Sequence, residues 1–141
     1  MAGKILIFGA SGAVGSSLAK LLNGVSKEIH LIGKSEGEVS KLAEETNSSF
    51  SIADVTASNL IEKIDSDLKD TDIAGIAYCV GSIDLKPLNL VTKKDYLKSF
   101  DLNFFPIIEI IKKFKENLKK NKSSIVVFST IAVKQGFPNH S

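Results

Sequence analysis

Short apolar runs alternate along the chain with longer segments whose apolar residues recur at the spacing of a helix face. The runs predict strands over residues 4–8, 28–32, 49–52, 72–80 and 124–129. The helical spacing predicts helices over residues 13–23, 36–46, 57–68, 92–102 and 104–120. Strands separated by helices pair in parallel through right-handed crossovers. We therefore expect a doubly wound α/β fold, with helices on both faces of a parallel sheet in the strand order 3-2-1-4-5.

The first predicted strand runs directly into a glycine-rich segment. Gly9 permits a tight turn, Gly12 lets the backbone approach a pyrophosphate, and Gly15 lets the following helix pack on the strand. The unpaired N–H groups and positive dipole end at a helix start bind phosphate. For Ser11, donation to a phosphate and capping of the helix are both open. The segment predicts a dinucleotide site formed by Gly9, Ser11, Gly12, Ala13, Val14 and Gly15.

The end of the second predicted strand bears on the choice between NAD and NADP. An acidic residue about 20 positions beyond the glycines commonly accepts hydrogen bonds from the ribose 2′-hydroxyl of NAD. This chain has Gly33 there, followed by Lys34 and Ser35. The glycine leaves room for a 2′-phosphate, the lysine supplies positive charge, and the serine supplies a donor. We therefore expect NADP rather than NAD, the alternative being an ordinary turn with a solvated lysine.

Composition narrows the class of protein. The 141 residues have the length of one domain, with 43% hydrophobic and 24% charged residues. A net charge of +2 gives no strong field for nucleic acid or a membrane surface, and no segment has the length and apolar character of a membrane span. All 18 basic residues are lysines, so an anion site must use point charges, hydroxyls and backbone N–H groups.

Cysteine and histidine carry little of the predicted chemistry. Cys79 is the single cysteine, which excludes an internal disulfide and fits a reducing, cytoplasmic location. We interpret it as a small buried hydrophobic residue rather than a nucleophile. Neither His30 nor His140 has a second ligand at metal spacing, so no metal site is expected. An acid–base role for His140 stays open.

These landmarks together resemble the short-chain dehydrogenase/reductase family over essentially the whole chain. The segment Gly9–Gly15 is similar to the family's glycine motif, with Ala13 where glycine is commoner. Further segments resemble family motifs in the expected order: Asp54-Val55-Thr56, Asp101-Leu102-Asn103 and Ile125–Thr130. Tyr78–Gly81 stands where the family has Asn-Asn-Ala-Gly and keeps only the glycine. The resemblance implies a Rossmann-like fold and an NADP-dependent oxidoreductase that interconverts a small-molecule carbonyl and an alcohol by hydride transfer.

The resemblance also assigns residues to the cofactor site. Asp54 and Val55 would contact the adenine ring, although an ordinary helix-entry turn at Asp54 is equally open. Cys79, Val80 and Gly81 would form a further wall of that site.

Three residues take catalytic positions in the same alignment. Asn103 would cap the helix over 104–120 and hold a relay water on its backbone carbonyl. Thr130 takes the place of the family's catalytic serine and would hydrogen-bond the substrate carbonyl oxygen. Ser129 replaces it if the alignment shifts by one residue.

The alignment places the family's catalytic Tyr and Lys at positions 143 and 147, beyond Ser141. We therefore expect the chain to be the cofactor-binding part of a longer enzyme, without the family's last strands, and to bind NADP without turnover. An exposed fifth strand and the apolar stripe of the helix over 104–120 predict a homo-oligomer. Two alternatives stay open: a catalytically silent NADP-binding sensor or regulatory protein, and a member similar to the nucleotide-sugar epimerases.

Overall fold

The computed structural model describes residues 3–25 and 27–139. The strands of this part are β1 Lys4–Phe8, β2 Ile29–Gly33, β3 Ser49–Ile52, β4 Ile73–Tyr78 and β5 Ser124–Val127. Its helices are α1 Ala13–Gly24, α2 Glu36–Thr46, α3 Leu60–Asp67, α4 Lys93–Asn103 and α5 Phe105–Lys120. Two short 3₁₀ turns, Leu88–Leu90 and Ile131–Val133, were not predicted from the sequence.

The strands form one parallel sheet in the order β3-β2-β1-β4-β5. The predicted fold class and strand order are therefore confirmed. The direction of strand progression reverses between β1 and β4, which pair side by side from Ile5 with Gly75 to Phe8 with Tyr78. In a doubly wound sheet, a crevice opens at the carboxyl ends of the two strands that flank such a reversal.

The structure corrects several predicted boundaries. β4 ends at Tyr78 and β5 at Val127, both two residues before the predicted ends. The chain leaves the β4 ladder where it turns towards α4, and β5 is an edge strand that pairs with β4 alone. α3 begins at Leu60 rather than residue 57, because successive turns at Ala57 and Leu60 occupy the intervening residues.

Two apolar layers cover the two faces of the sheet. On one face, side chains from β1 and β4 pack against α3 and α5: Leu6, Phe8, Ile76, Tyr78, Ile64, Ile110 and Phe114. On the other face, β1 and β2 pack against α1 and α2: Ile7, Leu31, Ala19, Val39 and Leu42. Both faces of β1 are buried, which explains why its sequence is a continuous apolar run rather than an alternating one.

The apolar stripe of α5 is buried against the sheet. Ile107, Ile110, Phe114 and Leu118 all belong to the first apolar layer. The expectation that this stripe is exposed and favours a homo-oligomer is therefore wrong, because α5 packs across β4 and contacts α3. Exposed apolar residues lie elsewhere, among them several on α4, at the α4–α5 junction and on β5: Leu97, Phe100, Phe104, Phe105, Val126 and Val127.

The spacing of Thr92 and Asp95 in the sequence predicts a capping box at the start of α4, and the structure confirms it. The Asp95 N–H donates to the Thr92 hydroxyl over 3.4 Å, and the Thr92 N–H donates to the Asp95 carboxylate over 2.9 Å. The predicted cap at α5 is wrong. Asn103 is the last residue of α4, and α5 follows Phe104, whose side chain accepts no capping hydrogen bond.

Candidate functional site

A crevice of about 290 Å³ lies at the carboxyl ends of β1 and β4. Many of the predicted cofactor-binding residues line it: Gly9, Ser11, Gly12, Gly33, Lys34, Asp54, Val55, Cys79, Val80 and Gly81. Ala53, Ser82 and Leu102 also line it and were not predicted. Each of these three adjoins a residue of a family motif, namely Asp54, Gly81 or Asn103. Their position beside those motifs was the only sequence signal that could have identified them.

Gly9 and Gly15 allow the backbone segments below the crevice to lie close together. Gly9 has φ +73°, and a Cβ there would lie 3.0 Å from the Cys79 backbone. A Cβ on Gly15 would overlap the Gly9 carbonyl oxygen. Without these side chains, α1 begins close to the end of β1, and the turn that joins the two elements is tight.

The first turn of α1 has no side-chain cap. Gly12 is the N-cap residue and offers only backbone. Of the two roles left open for Ser11, capping of α1 is therefore excluded. The first N–H groups of a helix lack intrahelical partners, and an uncapped 12-residue helix of this kind presents them together with the positive end of its dipole. The arrangement is chemically suited to an anion.

Gly33 lies on the other side of the crevice, at the end of β2. A Cβ at this position would lie 2.8 Å from Cγ2 of the buried Val39 and 3.7 Å from the Ser11 hydroxyl. Val39 thus occupies the space that an acidic side chain at position 33 would enter. The Lys34 side chain is exposed beside this point, and Ser35 begins α2 without using its hydroxyl as a cap.

Asp54 forms the helix-entry turn that the sequence left open. Its Oδ1 accepts hydrogen bonds from the Thr56 N–H over 2.9 Å and from the Thr56 hydroxyl over 2.7 Å. These bonds lower the pKa of the Asp54 carboxyl below its usual range, and the positive charge of Lys34 lowers it further. The carboxylate therefore stays ionised, with its second oxygen available for a ligand.

Asn103 clamps the loop that follows β4. Its Oδ1 accepts from the Ser82 N–H over 3.1 Å, and its Nδ2 donates to the Ser82 carbonyl over 3.0 Å. The same Nδ2 donates to the Ser99 carbonyl one turn earlier in α4. These bonds are the reason why the Asn103 side chain does not cap α5, and they fix the loop that continues from Val80 and Gly81.

A second cavity, of about 460 Å³, extends from the crevice along α4. It shares Lys34, Asp54, Ser82 and Leu102 with the crevice, and Asn103 lies in its wall. The remaining predicted residues are placed elsewhere. Among the described residues, the lining of the crevice does not include Ala13, Val14, Gly15, Ser35, Ser129 or Thr130.

The hydroxyl residues predicted for catalysis follow the carboxyl end of β5, which lies on the same side of the sheet as the carboxyl ends of β1 and β4. Thr130 begins a 3₁₀ turn, and its Oγ1 accepts a hydrogen bond from the Ala132 N–H over 3.3 Å. Thr130 and Ser129 are both exposed. Val14 also lies outside the crevice, in a shallow apolar groove with Phe128.

Cys79 and the histidines are not organised as reactive groups. Cys79 is half-buried rather than fully buried, and burial raises the pKa of its thiol, which disfavours the thiolate. His30 is buried at the opposite end of β2, between the hydroxyls of Ser49 and Ser51. His140 lies outside the described residues. Within residues 3–25 and 27–139, no three candidate ligands form a group that could hold a metal ion.

Together, the strand order and the crevice at the switch point define a Rossmann-like α/β protein. A sequence model of the short chain dehydrogenases matches residues 3–141. The chain belongs to the short-chain dehydrogenase family, whose members are oxidoreductases that typically bind a nicotinamide cofactor. The family suggested by the sequence motifs is therefore confirmed.

Solved structures with this fold are similar over nearly the whole chain. A short-chain dehydrogenase/reductase from Saccharomyces cerevisiae has 20% identity and a TM-score of 0.90, over 99% of this chain and 58% of that one. One from Vibrio parahaemolyticus has 22% identity and a TM-score of 0.83, over 96% of this chain and 60% of that one. The closed form of a serine dehydrogenase complexed with NADP+ has 15% identity and a TM-score of 0.86, over 96% and 57%.

The chain thus spans about three fifths of the length of these structures. In a comparison with curated proteins, none matches. Across the part of the chain that the structure describes, the helices are too short or too polar to cross a membrane.

Proposed function

We propose that this chain is the cofactor-binding part of an NADP-dependent short-chain dehydrogenase/reductase that interconverts a small-molecule carbonyl and an alcohol. The observation that carries the proposal is the uncapped start of α1, at the mouth of a crevice with a backbone-only floor. Gly9, with φ +73°, permits the turn, and the absence of a side chain at Gly12 leaves the backbone open to a pyrophosphate. The crevice therefore fits the nicotinamide cofactor of the family.

Within this proposal, each wall of the crevice binds a different part of the dinucleotide. The first-turn amides of α1 and the Ser11 hydroxyl bind the pyrophosphate. The ionised Asp54 accepts a hydrogen bond from the adenine amino group, and Val55 packs against the ring. Cys79, Val80 and Gly81 form the wall that follows β4. When bound, the nicotinamide ring supplies or accepts the hydride.

The preference for NADP rests on Gly33, Lys34 and Ser35. An acid that would repel a 2′-phosphate is absent from position 33, and Val39 occupies the space such an acid would need. The Lys34 ammonium and the Ser35 hydroxyl lie next in the chain, where they bind the phosphate as a point charge and a donor. That a serine dehydrogenase of the same fold is complexed with NADP+ adds support.

Residues near the carboxyl ends of the strands contact the substrate. Thr130, or Ser129 beside it, donates its hydroxyl hydrogen to the substrate carbonyl oxygen. Asn103 holds a relay water on its backbone carbonyl. The family's Tyr and Lys align with positions beyond residue 141, so we propose that this chain binds the cofactor without turning over a substrate.

Titration of the 141-residue chain with NADPH and NADH, followed by nicotinamide fluorescence, tests the proposal. A charge-assisted hydrogen bond contributes roughly 1.5–3 kcal/mol, so we expect NADPH to bind about tenfold more tightly than NADH. Lys34→Ala should abolish this difference by weakening NADPH alone. Lys115→Ala, which changes an exposed lysine on α5, is the matched control and should leave both affinities unchanged.

The outcomes separate the parts of the proposal. If neither dinucleotide binds, the cofactor site itself is wrong. If both bind equally well, only the preference for NADP is wrong. Steady oxidation of NADPH by the 141-residue chain in the presence of a ketone panel would contradict the absence of turnover.

A further inference from the structure

The backbone carbonyl of Leu102 lacks its usual helical donor. In a continuous helix, this carbonyl would accept a hydrogen bond from the N–H four residues later. That residue is Pro106, which has no N–H. The helix is interrupted at this point. α4 ends at Asn103 and α5 begins at Phe105, and Phe104 between them has the non-helical angles φ −126° and ψ −59°.

Tyr78 supplies the missing donor from the sheet. Its hydroxyl donates to the Leu102 carbonyl over 2.7 Å. Tyr78 is the last residue of β4 and is 3% exposed, and its ring lies 6.1 Å from the ring of Phe8, which immediately precedes Gly9. The ring is therefore held by the core, and its hydroxyl has a fixed position from which to reach the end of α4.

The residue after Leu102 is Asn103, whose amide clamps Ser82 in the loop beyond β4. We propose that Tyr78 is a positioning residue: its hydroxyl replaces the donor that Pro106 lacks, fixes the last turn of α4, and so aims the Asn103 amide at the loop that walls the cofactor crevice. This inference rests on the proposed function for its consequence, the affinity for the cofactor, but its structural part stands independently of any ligand.

The alternative is that Tyr78 is an ordinary core aromatic whose hydroxyl is incidental. Burial raises the pKa of Tyr78 above its usual range, and the Asp54 carboxylate raises it further, so the hydroxyl remains a donor throughout the neutral range. A buried tyrosine requires some partner for its hydroxyl. What distinguishes the two accounts is whether Ser82, whose backbone is bonded by Asn103 while the Tyr78 hydroxyl bonds Leu102, responds when that hydroxyl is removed.

Tyr78→Phe removes the hydroxyl and keeps the ring. We expect it to raise the hydrogen-exchange rate of the Ser82 N–H and of the last turn of α4 about fivefold, and to weaken NADPH binding by a similar factor. Tyr96→Phe is the matched control, since it makes the same change on the half-exposed face of α4. It should leave both measurements unchanged.

Pro106→Ala provides a rescue, because it restores an N–H at the position that can serve the Leu102 carbonyl. In the Tyr78→Phe background it should return both the exchange rates and the NADPH affinity towards those of the wild type. If Tyr78→Phe alone fails to fold, recovery of a folded double variant supports the proposal, and an unfolded double variant contradicts it.

Unchanged exchange at Ser82 in a folded Tyr78→Phe variant would overturn the proposal, as would equal losses in Tyr78→Phe and Tyr96→Phe. If the wild type does not bind NADPH, the proposed function fails, and the exchange measurements still decide whether Tyr78 positions Asn103.

Discussion

The side-chain amide of Asn103 bonds both backbone polar groups of Ser82. It accepts from the Ser82 N–H over 3.1 Å and donates to the Ser82 carbonyl over 3.0 Å. The two residues are 21 positions apart, one at the end of α4 and the other in the loop after β4. A primary amide suits this task because it presents a donor and an acceptor side by side. The clamp makes the wall of the crevice depend on a side chain that lies outside it.

Asn103→Ala should therefore loosen the loop without unfolding the chain. Each hydrogen bond contributes about 1 kcal/mol net, so we expect a loss of roughly 1–2 kcal/mol in the free energy of unfolding and at least a fivefold loss of NADPH affinity. Chemical denaturation and fluorescence titration measure the two effects. Asn59→Ala is the control, because Asn59 begins α3 without a side-chain capping bond. A loss of affinity in both variants would contradict the clamp.

The glycines at the two ends of α1 should respond oppositely to the same change. Gly15→Ala places a Cβ against the Gly9 carbonyl oxygen, so we expect it to destabilise the chain by about 2 kcal/mol or more and to abolish binding of NADPH. Gly24→Ala meets nothing within 4 Å and should stabilise the chain by about 0.5–1 kcal/mol with binding unchanged. Thermal unfolding of both variants measures the contrast. Equal tolerance of alanine at both positions would mean that α1 does not pack against β1 as described.

The buried His30 predicts a pH dependence of stability. Its Nδ1 and Nε2 lie 2.8 and 2.7 Å from the Ser49 and Ser51 hydroxyls, and Lys4 also bonds Ser49. Burial, and after it the charge of Lys4, lowers the pKa of His30 to about 4, although Asp67, which accepts from Ser51, partly opposes both effects. The folded state thus disfavours protonation of the imidazole.

Between the unfolded pKa of about 6.5 and the folded value of about 4, the unfolded chain binds the extra proton. The free energy of unfolding should therefore fall as the pH falls through this window, by up to about 1.4 kcal/mol per pH unit from this group. Above the unfolded pKa this stabilisation is fully present. Urea denaturation at several pH values measures the slope, and His30→Gln, which keeps polar atoms between the serines, should reduce it. The same slope in both proteins would exclude His30 as its source.

The edge strand β5 predicts self-association. Three of its residues, Ile125, Val126 and Val127, are exposed and apolar, and an aromatic cluster of Phe100, Phe104 and Phe105 is about half-exposed. We expect the 141-residue chain to form a homo-oligomer at high concentration, and Val126→Lys to shift it towards monomer, since a charge on an edge opposes strand pairing. Sedimentation velocity measures the shift, with Val25→Lys, at an exposed position after α1, as the control. A wild-type chain that stays monomeric at millimolar concentration would refute the expectation.

Individual residues show where prediction from the sequence succeeded and where it failed. The Thr92–Asp95 box was predictable because both partners lie within one turn of the same helix. Asn103 also had a local explanation, as a cap for the next helix, and that explanation was wrong. The Asn103 amide atoms that a cap would use are engaged in hydrogen bonds to Ser82 and Ser99. Because Ser82 is 21 positions away in sequence, a local pattern could not predict that bond.

The order of apolar and polar residues by itself determined the alternation of strands and helices, the parallel sheet and the glycine turn at its switch point, because period and backbone freedom are local properties of the chain. Only the tertiary structure decided that Val39 fills the space beside Gly33, that α5 buries its stripe, and that Tyr78 serves a carbonyl left open by Pro106. These relationships join residues far apart in sequence, and packing selects them only once the sheet has brought its helices together.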